Sequence, residues 1–363
     1  MNSPDFCVIG AGICASVIAK NTPTLLWDKA RGIGGRLSTK QTPDCMFDFG
    51  ATMFQNNLNI KHKGNTRGTN LLDYLKINAP HLECLPIFDK VHYFPKTGMN
   101  SIPKTLARDA ETKHGFQLES VLSKRNGNWI LKFQNSDKEI SFETKSFLPT
   151  LPVPQLLDIF KNSPKNKFLN QWIKFLTPYA NYRKTLTSCL YWQTLNPKFE
   201  NLGFFPDAEI PITTKLVAGS EWEYTSWESL KYKTGDSGSH WLLVQFSESF
   251  SETHFDHWMD ENKNPSVFAK NLISEHLESE WKLPPPNKIF QHRWKYAQCK
   301  SNILGKRGIL DLDHPKVTEW LELGKQTGIL PFGDFLFGPR TERQILGIDT
   351  LFHSGELDFI TKS

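Results

Sequence analysis

A chain of 363 residues, 39% hydrophobic and 22% charged, is long enough for two domains with full cores and too apolar to be disordered. Its 43 basic and 38 acidic residues leave a net charge of +5 that is gathered into no long run, which speaks against a nucleic-acid-binding protein and leaves room for an anionic small molecule. No apolar run reaches membrane-spanning length, no signal peptide precedes the first strand, and six cysteines without a CxxC pair predict free thiols and no metal site, so a cytoplasmic protein is expected.

The chain opens on Phe6-Cys7-Val8-Ile9, an apolar strand, followed by the turn Gly10-Ala11-Gly12-Ile13-Cys14-Ala15 and a short helix to Lys20. Gly10 permits a tight exit from the strand, Gly12 removes the Cβ that would block a pyrophosphate, and the helix N-terminus offers N–H groups and partial positive charge to an anion. Ala15 stands where the third glycine of the fingerprint serves only close helix–strand packing. A second strand at 24–27 ends in Asp28, 18 residues after Gly10, near the spacing of roughly 20 at which a carboxylate reaches ribose hydroxyls. A glycine-rich turn of another α/β domain would explain GxGxxA alone; the preceding strand and the following acid favour a nucleotide cradle. The loop Arg31-Gly32-Ile33-Gly34-Gly35-Arg36 then joins two adjacent glycines to a guanidinium, a second anion site that a simple NAD-binding unit does not need.

Beyond it, Phe47-Asp48-Phe49-Gly50-Ala51 is a short apolar segment whose Gly-Ala pair allows close approach of a ligand or simply ends a strand. Residues 56–69, rich in Asn, Lys and Gly, read as an exposed loop. Helical turns are expected at 71–77 and a helix at about 101–113, where Ile102, Leu106 and Ala110 share one side. Short strands at 117–123, 129–134 and 139–142 are separated by turn signals at 125–128 and 135–137. A strand at 146–148 runs into Pro149-Thr150-Leu151-Pro152-Val153-Pro154, read as an extended crossing and domain border. Helix is expected over 156–179, broken by Pro164 and Pro178. Strands at 185–193, within 215–227 and at 241–245 suit an antiparallel sheet, and a helix at 262–281 ends before Pro284. In Ile289-Phe290-Gln291-His292-Arg293-Trp294-Lys295-Tyr296-Ala297 the strand period sends His292, Trp294 and Tyr296 to one face and Arg293 and Lys295 to the other. That face is a wall for a flat substrate or a buried aromatic layer with a satisfied histidine. The 12% aromatic content supplies rings for either use. Finally, the apolar residues before Gly333-Asp334, with a helix after Pro339, repeat the pattern of a helix N-terminus facing a polar ligand group.

These residues together resemble the renalases, within the amine-oxidase-like FAD enzymes. The resemblance rests on Gly10-Ala11-Gly12-Ile13, Asp28-Lys29, the run from Arg31 to Thr39, Phe47-Asp48-Phe49-Gly50-Ala51, Gly98-Met99, Leu151-Pro152-Val153-Pro154-Gln155, His292-Arg293-Trp294-Lys295-Tyr296-Ala297 and Gly333-Asp334. It implies an α/β fold: a Rossmann-type FAD-binding domain from residues 1–62, 92–155 and 298–363, with an inserted substrate domain of antiparallel sheet and helices from 63–91 and 156–297. By the same resemblance Gly10, Gly12, Ile13 and Ala15 face the pyrophosphate, Asp28 and Lys29 the adenosine ribose, and Gly34, Gly35 and Arg36 the phosphates. Val121 offers backbone to the adenine, Gly333 and Asp334 meet the ribityl-phosphate part, and Gly50 and Ala51 lie along the flavin. The implied chemistry is hydride transfer to FAD from an isomeric dihydronicotinamide dinucleotide, with oxygen as acceptor and hydrogen peroxide as product. An amine donor, or a non-catalytic flavin- or nucleotide-binding role, stands as the alternative. The chain departs from the family's pattern at Asp28, where Glu is usual, at Phe335, where Trp is usual, and in the last helix, where Arg343 and Gln344 replace small residues that let it approach the flavin. No catalytic base is evident, and the oligomeric state is not legible.

Overall fold

A computed structural model describes residues 6–87, 91–123, 127–194, 214–216, 221–232, 239–304 and 308–361. Four parallel strands run in the order Glu111–His114, Leu25–Asp28, Phe6–Ile9 and Ser146–Pro149. Phe6–Ile9 is buried along its whole length, as expected of a central parallel strand covered on both faces. The C-terminal segment joins the edge of this sheet: Phe147 bridges Ile329 in parallel, and the Phe332 N–H donates to the Pro149 carbonyl at 2.8 Å. Residues more than 300 positions apart in sequence, Gly10 and Gly333, are thereby brought to one end of one sheet. The helix Ile13–Asn21 packs against the helices Ser101–Leu106 and Thr341–His353.

A three-stranded antiparallel sheet (Gln117–Ser123, Trp129–Gln134, Glu139–Thr144) covers the first domain, its strands close to their expected positions. The turn expected at 125–128 lies partly outside the described residues. The second antiparallel sheet has five strands, in the order Thr214–Leu216, Trp222–Trp227, His240–Phe246, Tyr182–Trp192 and Lys288–Cys299. One of its faces carries Trp192, Trp222 and Trp227 into a core shared with Trp258 and closed by the helices Glu248–His254 and Val267–His276. The latter starts later than expected because the Ser266 hydroxyl accepts from the Ala269 N–H and caps it there.

Three local expectations are corrected. Residues 56–69 form no loop but the hairpin Asn57–His62 and Asn65–Asn70, extended in parallel by Ile309–Asp311. Leu58 and Ile60 alternate inward between exposed asparagines, and Lys63 and Gly64 both take positive φ (50° and 75°), as a two-residue hairpin turn requires. The turn sits at the 62/63 border expected between domains, so one sheet holds both sides of that border. The helix expected over 101–113 stops at Leu106; Glu111–His114 pairs instead with Leu25–Asp28, where edge hydrogen bonds outweigh three apolar residues at helical spacing. The proline run does not cross extended: Pro149 stays in register with Ile9, and Pro152 caps the helix Val153–Asn162, whose first turn has no use for a proline N–H. The stretch 156–179 divides into that helix, the helix Lys167–Leu176 and a last turn at Thr177–Tyr179.

Candidate functional site

A cavity of about 1100 Å³ lies between the parallel sheet and the five-stranded antiparallel sheet. It exceeds the roughly 300–1,000 Å³ of ordinary small-molecule sites. One end is bounded by Gln117, Glu119 and Asp28, the middle by Gly10 and Gly12, the other end by Phe49, His292 and Trp294.

The middle is built for backbone approach. Gly10 has φ +111°, and a Cβ on it would stand 2.3 Å from Thr150 Oγ1. Gly12 has an ordinary φ of −85°, and a Cβ there would meet only Gly35 Cα, at 4.0 Å, so its missing side chain leaves open space. Gly35, at φ +57°, passes so close that its own Cβ would come within 3.1 Å of Gly12 Cα. The Gly34 N–H ties the two loops together by donating to the Ala11 carbonyl at 2.9 Å. The first-turn N–H groups of Ile13–Asn21 have no intrahelical acceptor and open on this space. A side chain would fill this cradle, which fits the diphosphate of a dinucleotide.

The remaining expected cofactor residues divide. Gly10, Gly12, Ile13, Asp28, Lys29, Gly35, Arg36, Gly50, Ala51 and Gly333 line the cavity. Asp28 spends one bond of each oxygen on the turn, accepting from the Ala11 and Ala30 N–H groups at 2.6 Å each. A Cβ on Gly50 would lie 1.8 Å from the Arg36 carbonyl, so that glycine is required by the protein's own packing. Val121 does not face the cavity: it is fully buried and its N–H donates to Ser163 Oγ at 2.8 Å, whereas Gln117, Leu118 and Glu119 border the space. Ala15 and Gly34 are likewise behind the wall, the one packed in the core and the other tying the two loops.

Asp334 is also corrected, from ligand contact to support. Its carboxylate is 1% exposed; Oδ1 accepts from the Tyr182 hydroxyl (2.6 Å), and Oδ2 from Arg36 (2.5 Å) and the Cys299 N–H (2.8 Å). Burial opposes its charge, but Arg36 and these donors hold the carboxyl below the usual range. Burial likewise opposes the Arg36 charge, and Asp334 more than offsets it, so the guanidinium is fixed and charged at the cavity wall. Asp334→Asn should lower stability by about 2–3 kcal/mol, less than for a fully buried pair because Arg36 is 29% exposed. Urea unfolding reads this, and an unchanged midpoint would show that the pair contributes nothing.

The aromatic wall is present, and the period of two holds as far as Trp294. His292 and Trp294 lie 4.1 Å apart between ring centroids, His292 lies 5.5 Å from Phe49, and Trp294 Nε1 donates to the Phe49 carbonyl at 3.0 Å. Tyr296 meets Tyr182 edge-on at 5.9 Å. Arg293 keeps its expected place on the opposite face, where its guanidinium donates to the Phe255 carbonyl at 3.1 Å and lies over that residue's ring in the tryptophan core, whereas Lys295 borders the cavity. The strand is at the sheet edge and bulges: Thr185 pairs with Trp294 but Arg183 with Gln298, so the alternation is broken over 295–297. Burial, and then the nearby Lys40, push the His292 imidazole down to about 4, so it is neutral at physiological pH.

The last helix meets the cavity through Thr341 and Gln344. Arg343 turns away, Nε donating to the Phe337 carbonyl at 2.7 Å and a terminal nitrogen to Leu304, so its bulk does not enter. Gln344 is held by Cys14 Sγ (3.1 Å) and the Gly338 carbonyl (3.2 Å). Sequence reading missed Tyr182, Arg183, Glu223, Tyr224 and Gln245; they come from distant strands, and no local spacing marks them.

A family model described as NAD(P)-binding Rossmann-like domain matches residues 8–64. No curated protein matches the chain in sequence. Among solved structures, a candidate protoporphyrinogen oxidase from Exiguobacterium sp. 255-15 superposes with a TM-score of 0.60 at 13% identity, over 99% of this chain and 100% of that one. Wild-type putrescine oxidase bound to putrescine superposes with a TM-score of 0.55 at 9% identity, covering 99% of both chains. An oxidoreductase from Methanosarcina mazei gives 0.55 at 11% identity, over 96% and 99%. The chain thus has a Rossmann-type dinucleotide-binding domain joined to antiparallel sheets, in the fold of these oxidoreductases.

Proposed function

We propose that the protein is an FAD-dependent oxidoreductase that takes a hydride from an isomeric dihydronicotinamide dinucleotide, with oxygen as final acceptor and hydrogen peroxide as product. The observation that carries the reading is the continuity of one cavity from the Gly12–Gly35 cradle to the His292–Trp294 wall. The first-turn N–H groups after Gly12 would hold the diphosphate, Asp28 the ribose, and the backbone at 117–119 the adenine. When bound, FAD supplies the hydride acceptor. A dihydronicotinamide already carries its hydride, so the protein has to position the donor and exclude water rather than move protons. The neutral His292 and Trp294 suit a flat ring, and Gly50 and Ala51 leave that end of the cavity without bulk. An amine donor is less favoured, because the one carboxylate among the described residues of the antiparallel wall, Glu223, is already paired with Arg183. Six free thiols fit a reducing compartment such as the cytoplasm.

The protein as purified, or after incubation with FAD, should show a flavin spectrum that bleaches on anaerobic mixing with dihydronicotinamide isomers. A colourless protein that takes up no FAD would overturn the reading; bleaching by amines alone would move the substrate to that class.

A further inference from the structure

The antiparallel wall holds charges that hydride transfer itself does not use. Arg183 comes from Tyr182–Trp192, Glu223 from Trp222–Trp227, and Lys295 from the bulged edge strand; all three border the cavity. We propose that Arg183 and Lys295 form a second anion subsite, with Glu223 as its displaceable placeholder, that takes the phosphate of the hydride donor. This rests on the oxidoreductase reading above.

Two cations, Arg183 and Lys295, stand there with one carboxylate, so this part of the wall carries an excess of positive charge. Arg183 forks onto Glu223, with one bond at 2.9 Å and a second shorter one, and reaches the Phe246 carbonyl at 3.2 Å. Its Nε is buried with no acceptor. A buried donor without a partner is costly, and a guanidinium fork matches phosphate oxygens as well as carboxylate ones. Glu223 is the looser member: its side chain is 35% exposed against 18% for Arg183. It can leave to water while an incoming phosphate takes the fork. The bulge over 295–297 turns Lys295 to the same wall.

This subsite is chemically unlike the Gly12–Gly35 cradle. The cradle binds through backbone N–H groups and admits no side chain; the wall binds through two long cationic side chains. One cavity with both can hold two phosphate-bearing molecules, and a neutral or cationic donor would have no use for the second.

The test compares two donors on the FAD-loaded protein: reduced nicotinamide mononucleotide as a mixture of dihydro isomers, and the benzyl dihydronicotinamide made the same way, which has the ring without the phosphate. The wild type should favour the phosphate-bearing donor in the concentration giving half-maximal bleaching. Arg183→Gln should shrink that preference about tenfold or more, and Glu223→Gln should enlarge it. An unchanged preference in Arg183→Gln overturns the subsite. Should that variant not fold, Lys295→Gln gives the same readout. If neither donor bleaches the flavin, the dihydronicotinamide reading fails instead, and calorimetric titration with inorganic pyrophosphate decides the subsite alone. Binding weakened about tenfold by Arg183→Gln supports it, and equal binding in wild type and variant overturns it.

Discussion

Gly12→Glu protein should fold normally and emerge without flavin. Gly12 sits at φ −85°, a conformation open to any residue, and a Cβ there touches no backbone closer than 4.0 Å. The chain therefore tolerates a side chain; the diphosphate does not. A carboxylate placed between Gly12 and Gly35 occupies the cradle and adds like-charge repulsion of several kcal/mol, so FAD affinity should fall roughly a thousandfold. Flavin absorbance per protein after gel filtration measures the loss, and an unchanged urea midpoint separates it from unfolding. Stoichiometric flavin in this variant would falsify the assignment of the cradle. Gly50→Ala is the contrasting control: its Cβ would lie 1.8 Å from the Arg36 carbonyl, so the fold itself should suffer.

The largest loss of stability is expected from Lys231→Met. The Lys231 ammonium is fully buried, 2.6 Å from Asp48 Oδ2 and 3.3 Å from Glu228 Oε2, with the Tyr232 hydroxyl also donating to Asp48. Asp48 further accepts from Thr39 Oγ1 (2.5 Å) and the Met99 N–H (3.1 Å), and Glu228 from the Asp48 N–H (3.0 Å) and Ser226 (2.7 Å). The cluster pins the strand Met46–Asp48, which leads into Gly50 and Ala51, to the helix Glu228–Lys231 of the other sheet. Removing the cation strands two buried carboxylates, at a cost of about 3–5 kcal/mol. Urea unfolding measures it, and Lys231→Met with Asp48→Asn should recover part of the loss. A midpoint shift no larger than that of a surface lysine variant would show that the cluster carries no such energy.

The same cluster sets a pH dependence. Burial raises the Glu228 carboxyl, Lys231 lowers it, Asp48 raises it, and the net result is a value pushed up to about 7. Between the ordinary carboxylate value of 4.5 and about 7 the folded protein binds more protons here than the unfolded chain. The contribution is therefore full below the ordinary value and is lost as pH rises through about 7. Relative to Glu228→Gln, the wild type should lose stability across that window; a difference between the two that does not vary with pH would refute it.

Much of the dinucleotide cradle was legible because its signals are local. Gly10, Gly12 and Asp28 lie within one strand–helix–strand unit, and the backbone alone dictates where glycine is needed. The misread hairpin shows the limit: Leu58 and Ile60 alternate, but a polar strand declares itself only when Ile309–Asp311 is there to pair with it. The helix expected through Ala110 failed for a similar reason, since the sheet edge offered by Leu25–Asp28 is invisible at that position in the sequence.

By itself, then, the sequence determined the glycine turn of a Rossmann-type unit, the glycine-arginine loop beside it and an aromatic strand, because each rests on short-range backbone geometry or residue type. Only the tertiary structure decided which side chains face a ligand and which support the wall. Asp334 became the buried partner of Arg36, Val121 withdrew to Ser163, and Arg343 turned from the cavity. The bulge brought Lys295 to the wall beside Arg183 and Glu223. The physical reason is that a charged or polar side chain goes where its hydrogen bonds can be satisfied, and in this protein those partners lie in distant segments of the chain.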